Sequence, residues 1–157
     1  MIHEMRRAKQ QLSMEESLEI LRCGSSGVLA LWDGEQPYAV PLSYVYDQGK
    51  IYFHCAKTGH KLEAVRACPK ASFCVVAADT ILPEKYTTAY RSVIVFGSLR
   101  VLTDEADMYP ALTLLGEKYN PGHSADTEKE ISGGIGHMYM LELTVRHMTG
   151  KQGKALL

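Results

Sequence analysis

Ile51-Tyr52-Phe53-His54-Cys55-Ala56-Lys57-Thr58-Gly59-His60-Lys61-Leu62 reads as an apolar strand, a short break, and a segment with helical spacing that continues through Val65 and Arg66. The break at Lys57-Thr58-Gly59 puts Gly59, His60 and Lys61 where the first backbone N–H groups of a helix have no intrahelical partner. Such a start attracts anions, and a phosphate would satisfy several of those donors together. Lys61 adds a point charge able to reach the same place. Taken alone, the pattern also fits an ordinary solvated connection between a strand and a helix. The sequence on either side has to decide.

Upstream, Ser13 followed by Glu16 is a capping-box signature, and Leu18 and Leu21 form an apolar stripe behind it, so a helix is expected over 13–23. Gly27 to Trp32 reads as a strand, Asp33-Gly34 as a hairpin turn, and Pro37 to Tyr46 as the partner strand. Pro41 removes one backbone donor from that partner, which points to an edge, a bulge, or backbone used outside the ladder. Asp47-Gln48-Gly49 turns the chain into the strand over 50–55.

Downstream, a helix over 59–67 ends before Pro69, and Ala71 to Ala78 reads as a strand. Thr80 to Thr87 reads as a loop. A long strand over 88–102 carries Val93, Val95, Gly97, Leu99 and Val101 on one face, with Ile94 and Phe96 apolar on the other. Apolar residues on both faces predict cover on both sides, with a partner subunit supplying some of it. Asp104 to Tyr119 reads as a helix with an acidic first turn. A polar helix is expected near 125–131, and a last strand from His137 to about Thr144. Short connections between mostly antiparallel neighbours predict a mainly β domain with flanking helices (α+β), a small closed or half-closed barrel spanning 1–157.

The 157 residues carry a formal charge of −1 and are 46% hydrophobic, which supports one ordinary domain and disfavours a nucleic-acid role. Cys23, Cys55, Cys68 and Cys74 contain no CxxC pair and sit in apolar or helical stretches, as thiols do in a reducing compartment. With no apolar run of membrane-spanning length and no signal-peptide profile at Met1-Ile2-His3-Glu4, a soluble cytoplasmic protein is expected.

Gly27-Val28-Leu29-Ala30, Pro37 to Tyr44, Ile51 to His54, Gly59-His60-Lys61 and Ser92 to Gly97 fall in an order that resembles the FMN-binding split-barrel superfamily. The resemblance is nearest to the branch related to pyridoxamine 5'-phosphate oxidase that includes the 5-nitroimidazole resistance reductases. Met5-Arg6-Arg7 and Thr149-Gly150-Lys151 fit that branch too, so nearly the whole chain is covered. It implies a Greek-key-like split β-barrel and a homodimer with FMN at the subunit interface.

By the same resemblance, Pro41, Leu42, Ser43 and Tyr44 run beside the flavin ring and ribityl chain. His54, Cys55 and Ala56 line the strand beneath, and Gly59, His60 and Lys61 hold the phosphate. Tyr90 and Ser92 approach the cofactor from the long strand. Many relatives carry arginine where His60 stands; a histidine, only partly charged at neutral pH, holds a phosphate less firmly.

In an extended strand His54 and Cys55 leave opposite faces, so only one looks toward a cofactor lying along it. His54 is the expected catalytic residue, and Cys55 reads as a small buried hydrophobe. The same geometry sets aside a zinc site built from His54, Cys55 and His60, so no metal is expected. No carboxylate pair or Ser/His/Asp arrangement supports hydrolysis, and the chemistry would belong to the flavin. The leading expectation is an FMN-dependent oxidoreductase that reduces a small flat or nitroaromatic acceptor. The alternatives are an oxidase like pyridoxamine 5'-phosphate oxidase, a haem-binding or haem-degrading relative, and a flavin-binding protein without turnover. The oxidase alternative usually goes with a carboxy-terminal arginine for the substrate phosphate, and Lys151 to Leu157 contains none.

Overall fold

A computed structural model describes residues 1–157. Helix α1 (Met14–Cys23) is closed by the expected capping box. Ser13 Oγ accepts the Glu16 N–H at 3.2 Å, and the Glu16 carboxylate accepts the Ser13 N–H at 2.9 Å. Strands β1 (Gly27–Trp32) and β2 (Pro37–Leu42) form a hairpin, and Pro41 lies in an edge strand, where its missing donor costs no ladder bond.

The strand expected over 37–46 is two strands. It breaks at Ser43-Tyr44, and β3 (Val45–Asp47) pairs instead with β4 (Lys50–Ala56). After α2 (His60–Ala67), β5 (Lys70–Leu82) and β6 (Thr87–Leu102) pair as far as Leu82↔Thr87. The loop expected over 80–87 therefore contracts to a turn at Pro83–Lys85. Helices α3 (Glu105–Tyr119) and α4 (Ser124–Gly134) precede the long last strand β7 (Met138–Gln152).

All seven strands join one antiparallel sheet in the order β2-β1-β5-β6-β7-β4-β3. The expected split β-barrel, Greek-key-like closure is corrected here: β2 and β3 are the two edges, no ladder joins them, and the sheet stays open. Their sequence adjacency still bends it. Three residue steps separate Leu42 from Val45, so the two edges come within about 11 Å at that link. The end of α3 docks on that link. Lys118 Nζ donates to Gly24 O at 2.6 Å and Tyr44 O at 2.8 Å, and the Tyr119 hydroxyl accepts the Tyr44 N–H at 3.0 Å while meeting Ser25 O at 2.6 Å. Side chains from the helix thus bond the backbone of the segment between the two edges.

The bent sheet has a core on each face. Inside the curve Leu29, Phe53, Phe73, Val93, Val95 and Leu141 pack with α1 and α2. Outside it, α3 and α4 bury Leu102, Met108, Leu112, Ile131 and Met140 against the β4–β7 end. Both faces of β7 are therefore covered over 140–143.

The cover expected on both faces of β6 is incomplete within one chain. Val28, Trp32, Val76, Ile94 and Phe96 remain 41–59% exposed, and the register puts Val28, Cys74 and Ile94 in one row across β1, β5 and β6. No helix is long and apolar enough to cross a membrane.

Candidate functional site

Strand β4 delivers its side chains alternately to the two cores. Ile51, Phe53 and Cys55 enter the inner one, while Tyr52, His54 and Ala56 face the side where α3 and α4 pack. Two contrasting features lie near His54, one at the end of β4 and one on this second face.

At the end of β4 the chain passes through Gly59, whose φ of +128° suits glycine, and turns into α2. The first bond of α2 runs from the Glu63 N–H to Gly59 O, and no side chain caps the helix. The N–H groups of His60, Lys61 and Leu62 are thus left as a cluster of donors. A Cβ placed at Gly59 would meet nothing within 4 Å, so the turn is open to a ligand. Lys61 has no ion-pair partner.

His60 is held differently. Its Nε2 lies 2.8 Å from Asp33 Oδ2, and its ring stacks on Tyr38 at 3.9 Å. Asp33 also accepts the Glu35 and Gln36 N–H groups at 2.8 Å. These backbone bonds, then the His60 bond, hold its carboxyl well below the ordinary range. The β1–β2 turn is latched onto the start of α2 in this way.

Beside His54 lies a cavity of about 590 Å³, walled by α3 and α4 and by the break between β2 and β3. That is the size of a small-molecule site. His54 and Ser43 open into it, Leu112 and Ile131 form part of its floor, and Asp126 and Glu130 stand on its α4 wall. Burial, and then the charge of Lys61, lowers the pKa of His54, so its imidazole is neutral at pH 7 and has one donor and one acceptor nitrogen. Burial raises the Cys55 thiol, which keeps it protonated and unreactive.

The other expected residues are scattered. Pro41 and Ala56 are exposed and Leu42 packs against the inner core. The Tyr44 side chain is fully buried and donates its hydroxyl proton to Leu21 O, so what it offers a ligand is backbone. Tyr90 and Ser92 lie on β6 beside the exposed apolar row. The row that contains His54 meets β6 at Leu102, ten residues from Ser92 and roughly 30 Å along the strand. One chain does not bring them to His54.

Residues 13–152 match the pyridoxamine 5'-phosphate oxidase family. The chain belongs to that family. It is thereby a member of the FMN-binding split-barrel superfamily that its ordered motifs resemble. An uncharacterized protein of Rhizobium meliloti (strain 1021) is 26% identical over 147 residues, which span 89% of this chain and 92% of that protein. The fold is similar to that of a Bacteroides thetaiotaomicron protein assigned to 5-nitroimidazole antibiotic resistance, with a TM-score of 0.73, 17% identity, and coverage of 90% of this chain and 86% of that one. It is also similar to an FAD and heme binding protein from Mycobacterium smegmatis, with a TM-score of 0.75, 21% identity, and coverage of 92% and 74%.

In this pyridoxamine 5'-phosphate oxidase family member, sequence reasoning missed Asp33 and Tyr38, which looked like turn and strand residues. It also missed the cavity wall of Tyr119, Asp126 and Glu130. The four-residue spacing of the two acids on a polar helix was the one available signal, and nothing in it said which way the helix faces.

Proposed function

We propose that the chain binds FMN with the phosphate at the start of α2, and that it is a flavin-dependent oxidoreductase acting on a small acceptor. The open, uncapped N-terminus of α2 beside Lys61 carries this reading, and family membership supports it. The donor set fits a phosphate: three backbone N–H groups, one unpaired ammonium, and space at Gly59. Lys61 and the 60–62 amides would hold the phosphate. Ala56 and His54 would border the rest of the cofactor along β4, and Ser43 would approach from the strand break. His60, latched by Asp33 and Tyr38, would shape the turn more than neutralise the anion. When bound, a flavin supplies electron-transfer chemistry that none of these side chains has.

His54 is the residue placed to act on that chemistry. Its neutral ring can donate to or accept from a group in the cavity. The exposed row across β1, β5 and β6 supports a homodimer through that face. A second copy there would cover Ile94 and Phe96, and could bring Tyr90 and Ser92 to the partner's cofactor. Light scattering at micromolar concentration with FMN present checks this, and a monomer mass removes it.

The M. smegmatis protein, an FAD and heme binder, favours a second reading in which the chain carries a flavin or haem without turnover of its own. The visible spectrum of the purified protein, with mass analysis of the extracted chromophore, separates the readings. Flavin bands and FMN mass support the first. A Soret band without bound flavin supports haem. Reduced flavin that reoxidises only with oxygen across a panel of flat and nitroaromatic acceptors supports a carrier.

A further inference from the structure

The turn before α2 has little of its own to hold it in shape. Ala56 to His60 are all exposed, Gly59 sits at a φ of +128° with open space around it, and α2 starts without a side-chain cap. Leu62, Ala64 and Val65 anchor the body of α2 in the inner core, but that grip begins only at the last of the three free amides. Among the side chains of residues 57–61, His60 alone makes a hydrogen bond, and its partner is Asp33.

Asp33 uses its two oxygens for different ends. Oδ1 accepts the Glu35 and Gln36 N–H groups at 2.8 Å, which completes an ordinary hairpin turn. Oδ2 is not needed for that turn, and it stands 2.8 Å from His60 Nε2. Tyr38, on the same hairpin and packed against the inner core, stacks on the imidazole at 3.9 Å and fixes its plane. A carboxylate–imidazole contact this exposed adds little to stability. Its charge also has the wrong sign for binding, since a carboxylate beside a phosphate seat repels the anion. What the contact does supply is geometry.

We propose that Asp33 is a positioning residue for the phosphate seat, holding the His60 ring, and through it the 60–62 amides, in the orientation that an anion meets. As a statement about cofactor binding this rests on the flavin reading; as a statement about the order of the turn it does not. The β1–β2 turn thereby belongs to the site while lying 27 residues before it. Donors held in place before the ligand arrives need not be ordered by it, and that saving appears as affinity.

The full chain is compared with Asp33→Ala, Asp33→Asn, His60→Ala and the double variant Asp33→Ala with His60→Ala. NMR relaxation reads the order parameters of the Gly59 to Leu62 amides without ligand, fluorescence titration reads FMN affinity, and the melting midpoint reads the structural role of the turn. Asp33→Ala should lower those order parameters from about 0.85 toward about 0.6. It should also weaken FMN binding about threefold to tenfold, the effect of ordering one or two side chains anew. Asparagine keeps the Oδ1 acceptor and offers its amide to the ring, so Asp33→Asn should restore most of both readouts. In the His60→Ala background, Asp33→Ala should lower the melting midpoint further, through the lost turn bonds, yet weaken FMN binding no more. Tighter FMN binding by Asp33→Ala would show that the carboxylate acts through its charge alone. Additive losses of affinity in the double variant would show that it does not act through His60. Either result overturns the proposal, as do unchanged order parameters. Loss of order in Asp33→Ala beside a wild type that binds no FMN would uphold the positioning of the amides and refute the flavin reading.

Discussion

The two sides of His54 are made by different means. Toward Gly59 the site is backbone: a strand ends, a glycine turns, and three amides at the start of α2 are left pointing at open space. Toward α3 and α4 the site is side chain: an apolar floor, a tyrosine, and two acids around a cavity of about 590 Å³. The first kind of site comes from local chain geometry and survives most substitutions that keep the turn. The second depends on how two helices seat on a sheet, and one misplaced methyl can spoil it.

That contrast predicts its largest effect at Gly116. A Cβ there would collide with the Thr127 side chain across the α3–α4 contact. Gly116→Ala should destabilise the protein by about 1–3 kcal/mol, the usual range for overpacking. FMN affinity should change little with it. Denaturant unfolding with parallel FMN titration checks this, and a matching loss of FMN affinity would mean that the turn at α2 and the helical wall are not built independently.

A smaller effect separates the two faces of β4. His54→Ala should keep the fold and most FMN affinity but slow electron transfer to an acceptor at least tenfold, about 1.4 kcal/mol of barrier. Cys55→Ala should leave the rate near wild type and cost stability through a modest cavity. Stopped-flow reoxidation of both variants with one acceptor decides it. A normal rate for His54→Ala beside a collapsed one for Cys55→Ala would move the chemistry to the cysteine.

The smallest effect lies at the other end of β4, where Glu142 is buried between Lys50 at 2.8 Å and Arg100 at 3.2 Å. Burial raises the pKa of Glu142, but the bonds from Lys50 and Arg100 outweigh it and the net shift is downward. The unfolded chain therefore takes up this proton first. Stability from Glu142 is complete above about pH 4.5 and is lost as pH falls through the lower folded value. His54, also lowered, works in the same direction below about pH 6.5. Melting midpoints between neutral and acid pH should fall, and Glu142→Gln should flatten the lower part of that curve. An unchanged acid limb would show that the pair adds nothing to folding.

How much of this was legible in the sequence follows the same division. The capping box at Ser13, the strand–turn–helix at 51–62, the facing of His54 and the β4 boundaries are set by neighbours within a few residues, and all could be read directly. The break at Ser43-Tyr44 could not, because the side chains that take up the Tyr44 backbone groups, Lys118 and Tyr119, lie some 75 residues away. Nor could the sequence show that β2 and β3 stay unpaired edges, which makes an open sheet of the expected closed or half-closed barrel. The latch of Asp33 on His60 spans 27 residues and joins two turns that each look complete alone. The cavity needs three separate parts of the chain, and only the fold brings them together.

The phosphate seat at α2 is tested most directly by titrating FMN with the protein and following the quenching of free-flavin fluorescence, for the wild type and for Lys61→Ala. Micromolar or tighter binding by the wild type is expected, weakened in the variant by about 1.5–3 kcal/mol, the worth of a charged hydrogen bond. Folded wild-type protein that leaves FMN fluorescence untouched would contradict the cofactor assignment, and a loss below about 0.5 kcal/mol for Lys61→Ala would place the phosphate away from the start of α2.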